Sequence, residues 1–248
     1  MKLDGSVAFV TGANRGLGQA FARALASTGA AKVYAGARDP AALRGSGLTP
    51  VKLDITDPVD VAAAAAKCGD VNLLINNAGV MFDGLPTASS LYHARAQLDV
   101  NYLGTLAMSQ AFAPVLAENG GGALVNMLSV LSLIAMPQNA SYAASKAAEW
   151  SITNALRVEL RAQGTQVVGV FCAYIDTDMA ATVQAPKIAP ADVAARTLDG
   201  IAAGEEEIFI DDISRGVKAG LANDLEAIYP GIQQQHNASV GTKQAAVG

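Results

Sequence analysis

The chain has 248 residues, 51% of them apolar, which is enough to bury a sizeable core in one large α/β domain or two small ones. Its net charge of −5 excludes the basic surface that nucleic-acid binding needs, and no run of 18 apolar residues exists to cross a membrane. The two cysteines, Cys68 and Cys172, and the two histidines, His93 and His236, have no metal-ligand spacing. No metal site is expected, and a reducing, cytoplasmic setting is.

The N-terminus lacks the apolar stretch of a signal peptide and leads into a short apolar run at residues 6–10, read as a buried strand. Residues 16–28 carry Leu17, Phe21 and Leu25 at a helical period. Strands follow at 32–36 and 50–53, with a short helical piece at 40–44 between them, then an Ala-rich helix at 60–67. A fourth strand at 71–75 precedes a long helix at 95–118, in which Pro114 is expected to disturb the last turns. A strand at 123–127, a helix at 141–163 and strands at 166–171 and 207–210 complete the pattern. Such alternation predicts a single-domain, Rossmann-like, doubly wound parallel sheet with helices on both faces. That domain is expected to span 1–230, with residues 231–248 a mobile polar tail.

Between the first strand and first helix stands Thr11-Gly12-Ala13-Asn14-Arg15-Gly16-Leu17-Gly18. Glycines there permit a tight turn and a close backbone approach to a pyrophosphate at the positive helix N-terminus. The spacing is Gly-x-x-x-Gly-x-Gly rather than the G-x-G-x-x-G dinucleotide fingerprint. A NAD site places a carboxylate near the end of the second strand for the ribose 2′-hydroxyl. This chain has Val33-Tyr34-Ala35-Gly36-Ala37-Arg38 there, with Asp39 one residue later. Arg38 and Arg15 provide two guanidinium groups for a 2′-phosphate, so NADP(H) is the expected cofactor.

Tyr142 and Lys146 are four residues apart in a predicted helix, which stacks a phenol and an ammonium on one face. A nearby cation favours phenolate and draws the tyrosine toward a working pKa for acid–base chemistry.

With these pieces in this order, the chain resembles the short-chain dehydrogenase/reductases from about residue 3 to residue 179. Asp54-Ile55, Asn76-Asn77-Ala78-Gly79, Asn101, and Ser129 thirteen residues before Tyr142 are similar to further motifs of that family. The resemblance implies that Gly12, Asn14, Arg15, Gly16, Leu17 and Gly18 hold the cofactor with Arg38. It puts Asp54 and Ile55 against adenine, and Asn77, Ala78 and Gly79 beside the cofactor as well. Tyr142 would donate the proton and Ser129 would hydrogen-bond the carbonyl oxygen, with Ser132 its rival. Lys146 would lower the Tyr142 pKa and hold the ribose, and Asn101 would fix a water linking Lys146 to solvent. Ile175 and Thr177 would contact the carboxamide end.

Two departures from the family pattern stand out. Cys172-Ala173 replaces Pro-Gly after the sixth strand, leaving that loop's path open. Cys172 reads as a buried filler, or alternatively as a thiol that makes activity oxidation-sensitive. Residues 178–190 form only a short lid, which predicts an open pocket with Met136, Tyr174, Met179 and Val183 as its walls beside Ser129. Asp211-Asp212 replaces a Gly-rich ending, so the oligomeric state stays open, a dimer through the long helices with Trp150 and Leu156 being one candidate. The leading expectation is an NADPH-dependent reductase of a small ketone or aldehyde. The alternatives are an NADP-linked secondary-alcohol or steroid-like dehydrogenase working oxidatively, and a non-catalytic NADP(H) sensor.

Overall fold

The computed structural model describes residues 1–43 and 47–245, without the side chains of residue 42 and residues 239–245. Arg44, at the end of the expected short helical piece, lies outside them; a 3-10 turn occupies Pro40–Leu43.

In chain order the elements begin with β1 (Val7–Thr11), α1 (Gly16–Ser27), β2 (Lys32–Ala37), β3 (Thr49–Lys52), α2 (Pro58–Lys67) and β4 (Leu73–Asn76). They continue with α3 (Leu91–Leu98), α4 (Thr105–Glu118), β5 (Ala123–Met127), α5 (Ala140–Glu159), β6 (Gln166–Phe171), α6 (Pro190–Ala203) and β7 (Glu207–Phe209). The last three helices are α7 (Asp212–Gly220), α8 (Asp224–Ala227) and α9 (Tyr229–Ala245). The strands form one parallel sheet in the order β3-β2-β1-β4-β5-β6-β7. Chain order reverses between β1 and β4, where Val10 pairs with Ala35 on one side and Ile75 on the other. A crevice opens outside the carboxyl ends of the strands at such a point.

Successive residues of a strand point to opposite faces, and β1 shows what this does. Ala8 and Val10 pack with Phe21 and Leu25 of α1 and with Leu198 and Ile201 of α6. Phe9 packs the other way, with Met108, Phe112 and Leu116 of α4 and Leu156 of α5. Both faces are therefore covered, as uniformly apolar parallel strands require.

Pro114 sits inside α4, which nevertheless continues to Glu118. The expected long helix at 95–118 is instead α3 and α4 joined by a π-helical segment, Asp99–Gly104. In the expected polar tail from Gly231, residues up to 245 belong to α9, whose Ile232 is buried, and residues 246–248 lie outside the described residues. Leu156 is buried in the core, and Trp150 packs edge-on against Phe171, at 6.3 Å between ring centroids, beneath the Lys218 ammonium. Leu156 thus serves the core, while Trp150 is half-buried by contacts within the chain. Among the described residues no helix is long and apolar enough to cross a membrane.

Candidate active site

A cleft of about 1050 Å³ runs across the carboxyl ends of the strands. The residues expected to touch cofactor or substrate line it, whereas Asn101 and Ser132, the rival of Ser129, do not.

At one end is the glycine turn. Gly12 and Gly16 have φ of 64° and 52°, a region costly for any residue with a Cβ. Gly18 is glycine for another reason: a Cβ there would lie 2.2 Å from the Gly12 carbonyl oxygen. Arg15, the N-cap of α1, offers no side-chain cap, so the first-turn N–H groups keep their capacity for an anion. The turn is tied to the end of β4. Thr11 Oγ1 accepts from the Asn77 and Ala78 N–H groups, each at 2.9 Å, and Asn77 Nδ2 donates to the Thr11 carbonyl at 2.9 Å.

Arg38 stands exposed at the end of β2. Asp54 accepts from the Thr56 N–H and hydroxyl, bonds that hold its carboxyl below the usual range with help from the Arg38 charge. Arg15 behaves differently from Arg38: its guanidinium pairs with Asp178 at 2.7 Å, linking the glycine turn to the segment after β6.

The other end is built on α5, β5 and the π-helical segment. Tyr142 and Lys146 lie on the buried face of α5, 8% and 5% exposed. Ser129 begins a 3-10 turn after β5, where its hydroxyl accepts from the Leu131 N–H at 3.1 Å, and it lies close enough to the Tyr142 phenol to favour its ionised form. Ser132 turns its hydroxyl back to accept from the Ser129 N–H at 3.1 Å, so it closes the loop. Lys146 Nζ donates to the Met127 carbonyl at 2.7 Å and to Glu149 at 2.6 Å. The Asn101 amide brackets Val80, accepting from its N–H at 2.8 Å and donating to its carbonyl at 2.9 Å, and also donates to Ser145. The π-helical turn thus locks the loop after β4 beside α5, and π-turns recur at functional sites.

Burial pushes the Tyr142 phenol above its ordinary pKa, and this outweighs the lowering by the Lys146 charge and by Ser129. The expected net lowering is therefore reversed: helical spacing supplied the cation but did not reveal the desolvation.

The loop after β6 is held in the absence of Pro-Gly. Asp211 accepts from the Ala173 N–H at 2.8 Å with one oxygen and caps α7 through the Ser214 N–H at 2.7 Å with the other. Residues Ile175 and Ile188 form a parallel bridge beyond it. Cys172 is buried and its thiol is pushed up to about 12 by desolvation, which fits the filler role and removes the nucleophilic thiolate that oxidation requires.

Met136, Tyr174, Met179 and Val183 all line the cleft. The expectation of an open pocket counted only residues 178–190 as cover. Ile213 and Val217 of α7, Ile228, and Ile232 of α9 add a further apolar wall. Tyr229 accepts from the Ala135 N–H at 3.3 Å and so fastens this wall to the loop before α5.

The family model for short chain dehydrogenases matches residues 6–187, and the chain belongs to that family of oxidoreductases. A short-chain dehydrogenase from Burkholderia cenocepacia, solved in complex with NADP, is 41% identical, covers 94% of this chain and 99% of its own, and superposes with a TM-score of 0.89. A short-chain dehydrogenase/reductase from Burkholderia phymatum, solved with NAD, is 27% identical over 91% and 96% of the two chains with a TM-score of 0.82. The 1-deoxy-11-beta-hydroxypentalenate dehydrogenase of Streptomyces avermitilis is 37% identical over 75% of each chain.

Proposed function

We propose that this protein is an NADPH-dependent reductase of apolar ketones or aldehydes, with Tyr142 as the proton donor. The observation that carries the reading is the buried Tyr142 phenol, which shares one cleft with Ser129, Lys146 and the glycine turn. The residues present fit a dinucleotide. Gly12, Gly16 and Gly18 leave a cradle that side chains would fill, and the uncapped first turn of α1 faces an anionic bridge. Arg38 at the end of β2, with no acid at its own position, suits the 2′-phosphate of NADP(H), and the Burkholderia cenocepacia relative binds that form. Asp54 and Ile55 form the adenine side; Asn77, Ala78 and Gly79 the middle; Ile175 and Thr177 the carboxamide end. The bound cofactor would supply a hydride equivalent to the carbonyl carbon.

The chain's own residues would do the rest. Ser129 holds the carbonyl oxygen, and Tyr142, kept protonated at neutral pH by burial, gives that oxygen its proton as charge develops. Lys146, anchored on the Met127 carbonyl, has N–H capacity left for the ribose. Asn101 fixes the Val80 loop that carries this surface. A phenol ready to donate favours reduction over the oxidative alternative, and retention of Ser129, Tyr142 and Lys146 in one cleft weighs against a non-catalytic sensor. Met136, Met179, Val183 and Ile232 make the substrate end apolar. Two free, buried cysteines suit a reducing compartment such as the cytoplasm.

The test is the rate of NADPH consumption against a panel of aliphatic and aromatic ketones and aldehydes, with NADH in parallel. Turnover with NADPH and weak turnover with NADH are expected. NADPH binding without turnover across the panel would count against the reading.

A further inference from the structure

Glu149 is a buried carboxyl group beside the site with no part in the scheme above. It follows Lys146 by three residues on α5 and is 1% exposed. Its Oε2 accepts from Lys146 Nζ at 2.6 Å and its Oε1 from the Thr105 hydroxyl at 3.3 Å, so both oxygens accept, the pattern of an ionised carboxylate. The backbone around it is fixed too: the Thr153 hydroxyl donates to the Glu149 carbonyl at 2.7 Å and accepts from Asn126 at 2.9 Å. A buried ion pair rarely stabilises a fold more than apolar residues of the same size would. Stability therefore does not explain a carboxylate here, whereas its contact with Lys146 gives it a role in the chemistry.

We propose that Glu149 is a positioning residue of the catalytic unit: its carboxylate fixes the Lys146 ammonium against β5 and offsets that charge at Tyr142, so that the phenol is held as a proton donor. This rests on the reductase reading and deepens it. Lys146 has three N–H bonds, and two are committed to Met127 and Glu149, which directs the third. The ionisable groups acting on Tyr142 are Lys146 and Glu149 from α5 and Cys172 from the loop after β6, with Asp211 behind Cys172. Ser129 from the β5 side and Thr105 and Asn101 from the α4 side are neutral. Lys146 is the only cation in this set, and Glu149 acts on Tyr142 with the opposite sign.

The experiment is the pH profile of kcat/KM for NADPH-driven reduction in wild type, Glu149→Gln and Glu149→Asp. Reduction needs the phenol, so the rate falls on the alkaline side as Tyr142 loses its proton. Glu149→Gln leaves the Lys146 charge uncompensated and is expected to move that fall by about one pH unit toward lower pH, the scale on which one neighbouring charge acts. Glu149→Asp keeps the charge and should stay close to wild type. An alkaline limb that does not move, or moves upward, in a Glu149→Gln protein that still binds NADPH would reduce Glu149 to a structural residue and overturn the proposal. A second reading needs no turnover: the ultraviolet phenolate titration of wild type and of Glu149→Gln, each with its own Tyr142→Phe counterpart subtracted, reports Tyr142 directly. The phenol should ionise about one pH unit lower in Glu149→Gln than in wild type; an ionisation that does not move, or moves upward, overturns the proposal. Absent turnover in wild type would instead count against the reductase reading and leave this titration to decide the role of Glu149.

Discussion

Replacing Gly18 by alanine tests the glycine turn with a single carbon atom. The new Cβ would stand 2.2 Å from the Gly12 carbonyl oxygen, 2.6 Å from Asn77 Nδ2 and 2.8 Å from the Gly12 carbonyl carbon. Non-bonded heavy atoms rest near ~3.5 Å, so α1 or the turn must retreat by about 1 Å. Neither obstacle is a flexible side-chain end. The Gly12 oxygen is backbone in a residue at φ 64°, and the Asn77 amide is bonded to the Thr11 carbonyl. Overpacking of this kind costs about 1–3 kcal/mol of stability. The same shift displaces the first-turn N–H groups proposed to face the pyrophosphate, and a misplacement of about 1 Å lowers a rate by roughly a hundredfold. The assay is NADPH affinity by fluorescence titration, kcat/KM for NADPH, and thermal midpoint, each against Gly69→Ala. Gly69 is exposed, and a methyl group added there would have nothing within 4 Å, so its variant should match wild type. A Gly18→Ala protein that binds NADPH within twofold of wild type would refute the close approach of the turn to the cofactor.

Two further outcomes are expected. Arg38→Ala should cut the NADPH-to-NADH preference in kcat/KM by roughly tenfold or more, because a charge-assisted bond to the 2′-phosphate is lost while the NADH rate is unaffected; equal losses with both cofactors would remove Arg38 from the phosphate. The thiols of Cys68 and Cys172 are buried and pushed up to about 11 and about 12, so below those values they remain protonated and unreactive. A thiol reagent at about pH 8, near the ordinary thiol pKa, should label neither cysteine in the folded protein and both after denaturation, and peroxide should leave activity unchanged; rapid labelling of the native protein would contradict the burial of these thiols.

The sheet is readable from the chain because a parallel strand buried on both faces is a short apolar run between turn residues. The expected strands at 123–127 and 166–171 coincide with β5 and β6 to the residue, and the other strands agree to within two positions. The glycine turn and the Tyr142–Lys146 pair are readable for a related reason: each is local, its geometry set by a few consecutive residues. What escapes a reading of the chain depends on contacts between distant segments. Helix α6 is the exception, absent from the expected pattern although it has a local signal, Pro190 in its first turn and Gly204 at φ 83° after its end. Helix α9 has almost none, since in its polar Gln-rich sequence Ile232 is an isolated apolar residue that, with Gly231, Gln235 and the neighbouring Ile228, becomes a pocket wall. Asp211 looks like a loop acid, yet it holds both the start of α7 and the loop after β6. Glu149 lies within the expected helix, but only the fold shows that its face is buried against Thr105. The direction of the Tyr142 shift fails to emerge for the same reason, since spacing shows a neighbouring charge and burial is a property of the whole domain.

The account turns on Tyr142 as the proton donor, and the most direct measurement is kcat/KM of Tyr142→Phe against wild type on the best carbonyl substrate, with NADPH affinity measured on both. Phenylalanine keeps the ring and removes only the hydroxyl. A fall of about a thousandfold, the scale of a lost general acid, with NADPH affinity retained, is the predicted result. A variant that keeps turnover within tenfold of wild type would contradict the assignment and place the proton source elsewhere in the cleft.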